Sequence, residues 1–166
     1  MTETTMNVKK LNERAVLPTR GSKYAAGYDL YANIVWDSDV SPANITIPAG
    51  KTEMISTGLA MEIPEGYAGL IFARSGLASK RGLRPANCVG VVDSDYRGEV
   101  KVALHNDSNN DETIFADDRI AQLVVVPYLS VNFNVVEELN DTERGAGGFG
   151  STGVSTEPIY EQASFF

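Results

Sequence analysis

The 166-residue chain has one cysteine, Cys88. A lone thiol closes no internal disulfide and builds no thiolate zinc site, so the fold needs no oxidising compartment and the expected location is the cytosol, or the nucleus of a eukaryotic host. Long apolar runs are missing as well. Residues 1–10 (MTETTMNVKK) carry no apolar signal core, and the stretch from Leu123 to Leu129 is far too short to span a bilayer, so neither secretion nor membrane insertion is expected. Positive charge is scarce: 14 Lys plus Arg stand against 22 Asp plus Glu, a net charge of −8. That is the wrong sign for general binding to a nucleic-acid backbone. The shortage is uneven, since after Lys101 only Arg119 and Arg144 are basic. Each is either an incidental surface charge or a residue placed to meet an anion.

What is present fits one globular domain, with 43% hydrophobic and 22% charged residues. Segments rich in Val, Ile, Leu and Tyr at 28–34, 54–63, 67–73, 99–105, 120–126 and 131–136 predict strands. Pro48-Ala-Gly50, Pro64-Glu-Gly66, Tyr96-Arg-Gly98 and the polar run 106–111 predict turns between them. Only Ser75–Arg81 looks helical, so no alternating strand and helix pattern supports a parallel sheet and the expected class is all-β, a single-domain jelly-roll-like barrel. From Asn140 the composition shifts to Gly, Ser, Thr and acids, which bury too little apolar surface to order alone. The layout read from this is a catalytic domain over 1–139, a flexible glycine-rich arm over 140–153 and a tail over 154–166.

Three segments carry chemistry. Arg144-Gly-Ala-Gly-Gly-Phe-Gly-Ser-Thr-Gly153 has G-x-G-x-x-G spacing, yet a dinucleotide fingerprint must follow a strand, open a helix and precede an acidic residue in a larger βαβ unit, for which the 16 residues after Gly150 are too few, and no P-loop lysine is present. What survives is a run of backbone N–H groups, two hydroxyls (Ser151, Thr152) and Arg144 able to wrap phosphate oxygens, with Phe149 able to stack on a base. A floppy glycine-rich tail is the plainer reading. Asn87–Val100 reads as a β-hairpin whose Asp93 and Asp95 would share one face if extended, as a general base or a cation site requires; solvated turn acids are the alternative. In Phe72–Lys80, Arg74, Ser75 and Gly76 stand where a strand meets a short helix, either as an anion site or as an ordinary Ser cap with a surface arginine. Arg119 and Gln122 in DDRIAQL, and Asp29 in AGYDL, fall at strand edges.

Taken together, AAGYDLYA at 25–32, RSGLASKRGL at 74–83, GVVDSDYRGEV at 90–100, DDRIAQLVV at 117–125 and RGAGGFGSTG at 144–153 closely resemble the five ordered motifs of trimeric dUTPases. The resemblance covers nearly the whole chain through Gly153. It implies a β jelly roll, a homotrimer with active sites shared between subunits, and Mg²⁺-dependent hydrolysis of dUTP to dUMP and pyrophosphate, a reaction that keeps uracil out of DNA. It further implies that Asp93 is the base that activates water, with Asp95 structural. Tyr96 would pack under deoxyribose, while Asn87, Gly90, Val91 and Lys101 read uracil. Arg74, Ser75, Gly76 and Gln122 would hold phosphates, Ser75 and Gln122 counting with Asp93 as catalytic, and Arg144, Phe149, Gly150, Ser151 and Thr152 would close over uracil and the γ-phosphate. Asp29 would reach Mg²⁺ through water, the ion being held mainly by the triphosphate, and Arg119 would be structural. Asp117 departs from the family's usual Gly, His105 is expected to be structural, and Cys88 is expected to be a small packing residue.

The tail ends Gln162-Ala-Ser-Phe-Phe166, similar to the pentapeptide with which bacterial proteins dock on the replication sliding clamp through a glutamine and terminal apolar anchors, here Gln162, Phe165 and Phe166. An aromatic tail packing on its own trimer is the plainer alternative. Two rival functions accompany the main one: a nucleotide-responsive regulatory module with vestigial catalysis, and a dCTP deaminase, against which Asp93-Ser-Asp-Tyr96 argues.

Overall fold

The computed structural model describes residues 4–35 and 43–149, and the chain divides into two units, Met1–Ser130 and Val131–Phe166. In the first, the elements run β1 (Asn7–Lys10), β2 (Tyr28–Tyr31), β3 (Asn44–Ile47), β4 (Thr52–Glu62), β5 (Tyr67–Phe72), α1 (Ser75–Arg81), β6 (Leu83–Pro85), β7 (Gly90–Val92), β8 (Glu99–Asn106), β9 (Glu112–Phe115) and β10 (Arg119–Pro127). One four-stranded sheet has the order β1-β4-β8-β6, a second β2-β10-β5-β7, and β3 pairs with β9; every pairing is antiparallel. The all-β, jelly-roll-like expectation therefore holds, and α1 spans the segment predicted to be helical.

Strand alternation sets the core. β8 turns Val100, Val102 and Leu104 inward and Lys101, Ala103 and His105 outward. The inward residues join Leu30, Ile55, Leu59, Ile114 and Leu123, each essentially without solvent exposure. Burying each such side chain stabilises the fold by about 1.5–3 kcal/mol. His105 lies between Thr52, 2.8 Å from its Nδ1, and Asp107, 3.3 Å from its Nε2, in the structural role expected.

β4 breaks register between Ser56 and Ala60, where Gly58 has φ +67°. A Cβ on Gly58 would lie within 2.9 Å of Asn33 and Ala15, so both conformation and space require glycine. Glu99 caps this bulge, accepting from the Gly58 N–H at 2.9 Å and from Ser56 Oγ.

Three expectations fail. Residues 131–136 form no strand, and Val131, Phe133 and Val135 are exposed. Their alternation encodes an apolar face, but no described strand in their unit offers an edge to bond to. Asn87–Val100 is not a hairpin: β7 pairs with β5 in one sheet and β8 with β4 and β6 in the other, so residues 93–98 arch between sheets. Asp93 accordingly opens a turn and Asp95 lies inside it, rather than the two sharing a strand face. Cys88 is exposed rather than packed, at φ +63° in the turn before β7.

Candidate active site

Asp29 on β2 and Gln122 on β10 are direct cross-strand partners, and Gln122 also faces Phe72 on β5, so all three share one face. Two arginines converge there. Arg74, the residue capping α1, donates from Nε to Asp29 Oδ1 at 2.9 Å, and Arg119 donates from Nη1 to Oδ2 at 3.3 Å. Arg74 also donates to the Arg119 carbonyl at 3.2 Å, tying the two together. Gln122 donates to the Ala73 carbonyl at 2.9 Å. Gly27 makes room for it, since a Cβ there would stand 2.5 Å from Gln122 Oε1. Ser75 is exposed as the first helical residue, and Arg74 rather than Ser75 occupies the cap, which removes the Ser-cap alternative. Space around Gly76 is open on its Cβ side.

The parting of β7 and β8 opens a second feature, a cavity of about 620 Å³ lined by Met54, Asn87, Gly90, Val91, Tyr96 and Lys101 among others. β7 is an edge strand, so the main-chain groups on its outer side have no strand partner among the described residues. Those groups give the cavity a row of fixed donors and acceptors. Asn87 is held close to this row: a Cβ on Gly90 would meet its Nδ2 at 3.3 Å. The Tyr96 hydroxyl donates to the Glu99 carbonyl at 3.0 Å, which lays the ring along the cavity wall.

Asp93 borders this cavity and a larger one of about 840 Å³ that Asp95 also lines. Its carboxylate is exposed, with no hydrogen bond or ion pair to any described residue. Continuing the β5–β7 register places Asp93 near Ala68, whereas Ser75 follows the far end of β5. At the strand rise the two lie roughly 20 Å apart within one chain. The structure thus joins Asp29, Arg74, Arg119 and Gln122 in one cluster and Asn87, Gly90, Val91, Tyr96 and Lys101 in another, with Asp93 on the rim of the second.

In the second unit, the Gly145 N–H donates to the Thr142 carbonyl at 3.0 Å and the Gly147 N–H to the Arg144 carbonyl at 3.1 Å, forming consecutive turns, and Arg144 Nε donates to the Gly147 carbonyl at 2.8 Å. Phe149 is fully exposed at φ +50°. Gly150, Ser151, Thr152, Gln162, Phe165 and Phe166 lie outside the described residues.

Sequence reasoning missed Glu99. Burial pushes its carboxyl up, but hydrogen bonds from Ser56 and the Gly58 N–H, with the Lys101 ammonium 3.3 Å away, outweigh that and hold it below the ordinary value. Its signal was hidden because the partners at 56 and 58 are more than forty residues away and the bulge that presents them leaves no local pattern.

A cavity bordered by main-chain edge groups and one tyrosine ring, on a β fold that also carries paired arginines, brings together the donors, acceptors, ring face and cations that a nucleotide-handling β protein needs. Comparison with known proteins narrows that class. A family model described as dUTPase matches residues 13–153. The deoxyuridine 5'-triphosphate nucleotidohydrolase of Nautilia profundicola is 48% identical over 148 residues, covering 89% of this chain and 98% of that protein. A point mutant of the dUTPase of Staphylococcus bacteriophage 80alpha, solved with dUpNHpp, superposes with a TM-score of 0.80 at 30% identity, covering 92% of this chain and all of the other. The dUTPase of phage phi11 of S. aureus, in a structure concerned with coordination of a structural Mg(II) ion, gives a TM-score of 0.72 at 27% identity over 83% of this chain and all of the other. The chain belongs to the dUTPase family. Among the described residues no helix is long and apolar enough to cross a membrane.

Proposed function

We propose that the protein is a dUTP diphosphatase that cleaves dUTP to dUMP and pyrophosphate. The observation that carries this reading is the free edge of β7 beside Asn87, with the unpartnered Asp93 carboxylate at its rim. A uracil edge presents a fixed order of acceptor, donor and acceptor. Cytosine would leave buried polar groups unpaired against the same main chain, and the thymine methyl would overlap it. Asp93 accepts the proton of a water that attacks the α-phosphorus in line, and pyrophosphate leaves. Arg74, Ser75, the Gly76 N–H and Gln122 stabilise charge on the phosphate oxygens. Arg144, Phe149, Gly150, Ser151 and Thr152 close over base and γ-phosphate, shutting out bulk solvent while keeping the attacking water.

The roughly 20 Å between Asp93 and Ser75 within one chain supports a site assembled from more than one copy, and we assign a homotrimer. Sedimentation at three times the 17.9 kDa chain mass is the expected result. The residues present fit Mg²⁺ through Asp29. Asp29 gives one lone pair on each oxygen to a guanidinium, which leaves it able to accept from metal-bound water but not to chelate. Among the described residues no three His, Cys, Asp or Glu side chains converge as a cage. Mg²⁺ held by the triphosphate would neutralise phosphate charge, with Asp29 orienting its water shell. The layout follows: a catalytic body, a closing arm over 140–153, and a tail over 154–166 whose clamp contact is tested by binding of that peptide to a sliding clamp.

The deciding experiment is pyrophosphate release from dUTP, dCTP, dTTP and UTP, with and without Mg²⁺. Hydrolysis of dUTP alone is expected. Ammonia release from dCTP, or equal turnover of UTP, would overturn the reading.

A further inference from the structure

Tyr96 follows a turn closed by its own N–H to the Asp93 carbonyl at 3.2 Å and braced by Arg97, which donates to the Ser94 and Tyr96 carbonyls at 2.7 and 3.1 Å. From there the side chain folds forward along the chain, over Gly98, to reach the Glu99 carbonyl. A Cβ on Gly98 would stand 2.4 Å from the Tyr96 hydroxyl oxygen, 2.6 Å from Cζ and 2.9 Å from Cε2. All three are atoms at the far end of one ring. The φ of Gly98 lies outside the left-handed region, so the position does not need glycine for its backbone. What it needs glycine for is the ring. The acceptor end is equally fixed, because Glu99 opens β8 and its carboxylate is fastened to Ser56, Gly58 and Lys101.

We infer that Gly98 is a positioning residue for sugar selection: its missing side chain lets the Tyr96 ring lie flat, tethered to the Glu99 carbonyl, where a deoxyribose fits and a ribose 2′-hydroxyl does not. The inference rests on the dUTP reading above and deepens it. An alanine at 98 does not unfold the chain, since Tyr96 is 45% exposed and its ring can swing toward solvent. It removes the tether and the flat surface together. Because Gly98 acts through the ring, its substitution matters only while the ring is there.

The test measures kcat and KM for dUTP and UTP in the wild type, Gly98→Ala, Tyr96→Ala and the double variant, with thermal melts as a control and calorimetric binding of dUDP and UDP as a readout independent of turnover. Gly98→Ala is expected to raise the KM for dUTP about tenfold with kcat changed less than about threefold, and to lower the dUTP-to-UTP ratio of kcat/KM by roughly tenfold. In the Tyr96→Ala background the same substitution should move that ratio by less than about twofold. Tyr96→Phe, which keeps the ring and loses the tether, should fall between the wild type and Gly98→Ala. A wild type that discriminates while Gly98→Ala discriminates equally, or an equal loss in both backgrounds, overturns the role of Gly98 alone. A wild type indifferent between the two sugars overturns the proposed function and this inference with it.

Discussion

Asp29, on a strand where two arginines converge, gives both carboxylate oxygens to guanidinium groups, whereas Asp93, on the arch between β7 and β8, gives its oxygens to no described residue. The first side chain is 15% exposed and immobilised. The second is open to solvent and has every lone pair available. Surroundings therefore separate two chemically identical groups: one is fixed as an acceptor for two cations, and the other keeps its oxygens free, as the proposed role of Asp93 requires. The difference originates in sheet topology: cross-strand register puts Asp29 beside Gln122, while the departure of β7 from β8 leaves Asp93 at the rim of a cavity.

The sharpest way to break this contrast is to remove each charge isosterically. Asp93→Asn should lower kcat for dUTP by roughly 10²–10⁴-fold, the range for losing a general base, with an unfolding free energy within about 0.5 kcal/mol of wild type. Asp29→Asn should behave in the opposite sense. It leaves two neighbouring guanidinium groups without their shared counter-charge, and should cost about 1–2 kcal/mol of stability after allowance for partial exposure. Its effect on kcat should be smaller than that of Asp93→Asn. Parallel denaturant titrations and steady-state assays decide. Equal destabilisation by the two variants would erase the distinction.

Much of this is legible in the sequence. The helix at 75–81 and the strands at 54–63, 67–73, 99–105 and 120–126 follow from local alternation and turn residues, because each is long enough for period and punctuation to agree. The four-residue strands β1, β3 and β9 are too short for period to show, and they exist because a neighbouring edge pairs them. The Asn87–Val100 segment failed for a related reason. Two apolar runs around a polar turn look alike whether the runs pair with each other or join separate sheets, and only the competing partners β5 and β4 decide. At the site, residue types came through and long-range pairings did not. Arg74 and Asp29 were both singled out, but their hydrogen bond across 45 residues was invisible, as were the bulge that captures Glu99 and the steric demand at Gly27 and Gly98.

Glu99 refines the comparison because it is a third carboxylate with a third kind of surroundings: partly buried, held by neutral donors and one lysine. Its carboxyl titrates below the ordinary value in the folded state, so the unfolded chain binds its proton more readily. The resulting stability is fully present above the ordinary glutamate range and is lost as pH falls through the depressed folded-state value. Glu99→Gln should therefore be less stable than wild type at pH 7, by on the order of 1 kcal/mol given its partial exposure, with the gap closing on acidification. Unfolding curves from pH 7 downward test it. A gap that stays constant with pH would mean that the loss is one of packing.

The smallest effect concerns the turn that delivers Arg119 to Asp29. Asp117 has φ +66°, the left-handed conformation that glycine adopts without penalty, and its N–H donates to the Ala32 carbonyl at 2.9 Å. Asp118 secures the same turn by accepting from the Phe115 N–H at 2.9 Å. With the conformation enforced from both sides, aspartate at 117 carries a steric cost that glycine does not. The gain from removing it is reduced by the extra freedom glycine gives the unfolded chain. Asp117→Gly should raise stability by about 0.5 kcal/mol and leave kcat/KM for dUTP unchanged, because the arginine clamp on Asp29 is set by strand register rather than by the side chain at 117. A fall in activity in this variant would show that the clamp depends on a stiff turn, and the contrast between a rigid Asp29 and an open Asp93 would have to be traced to that turn instead of to the sheet.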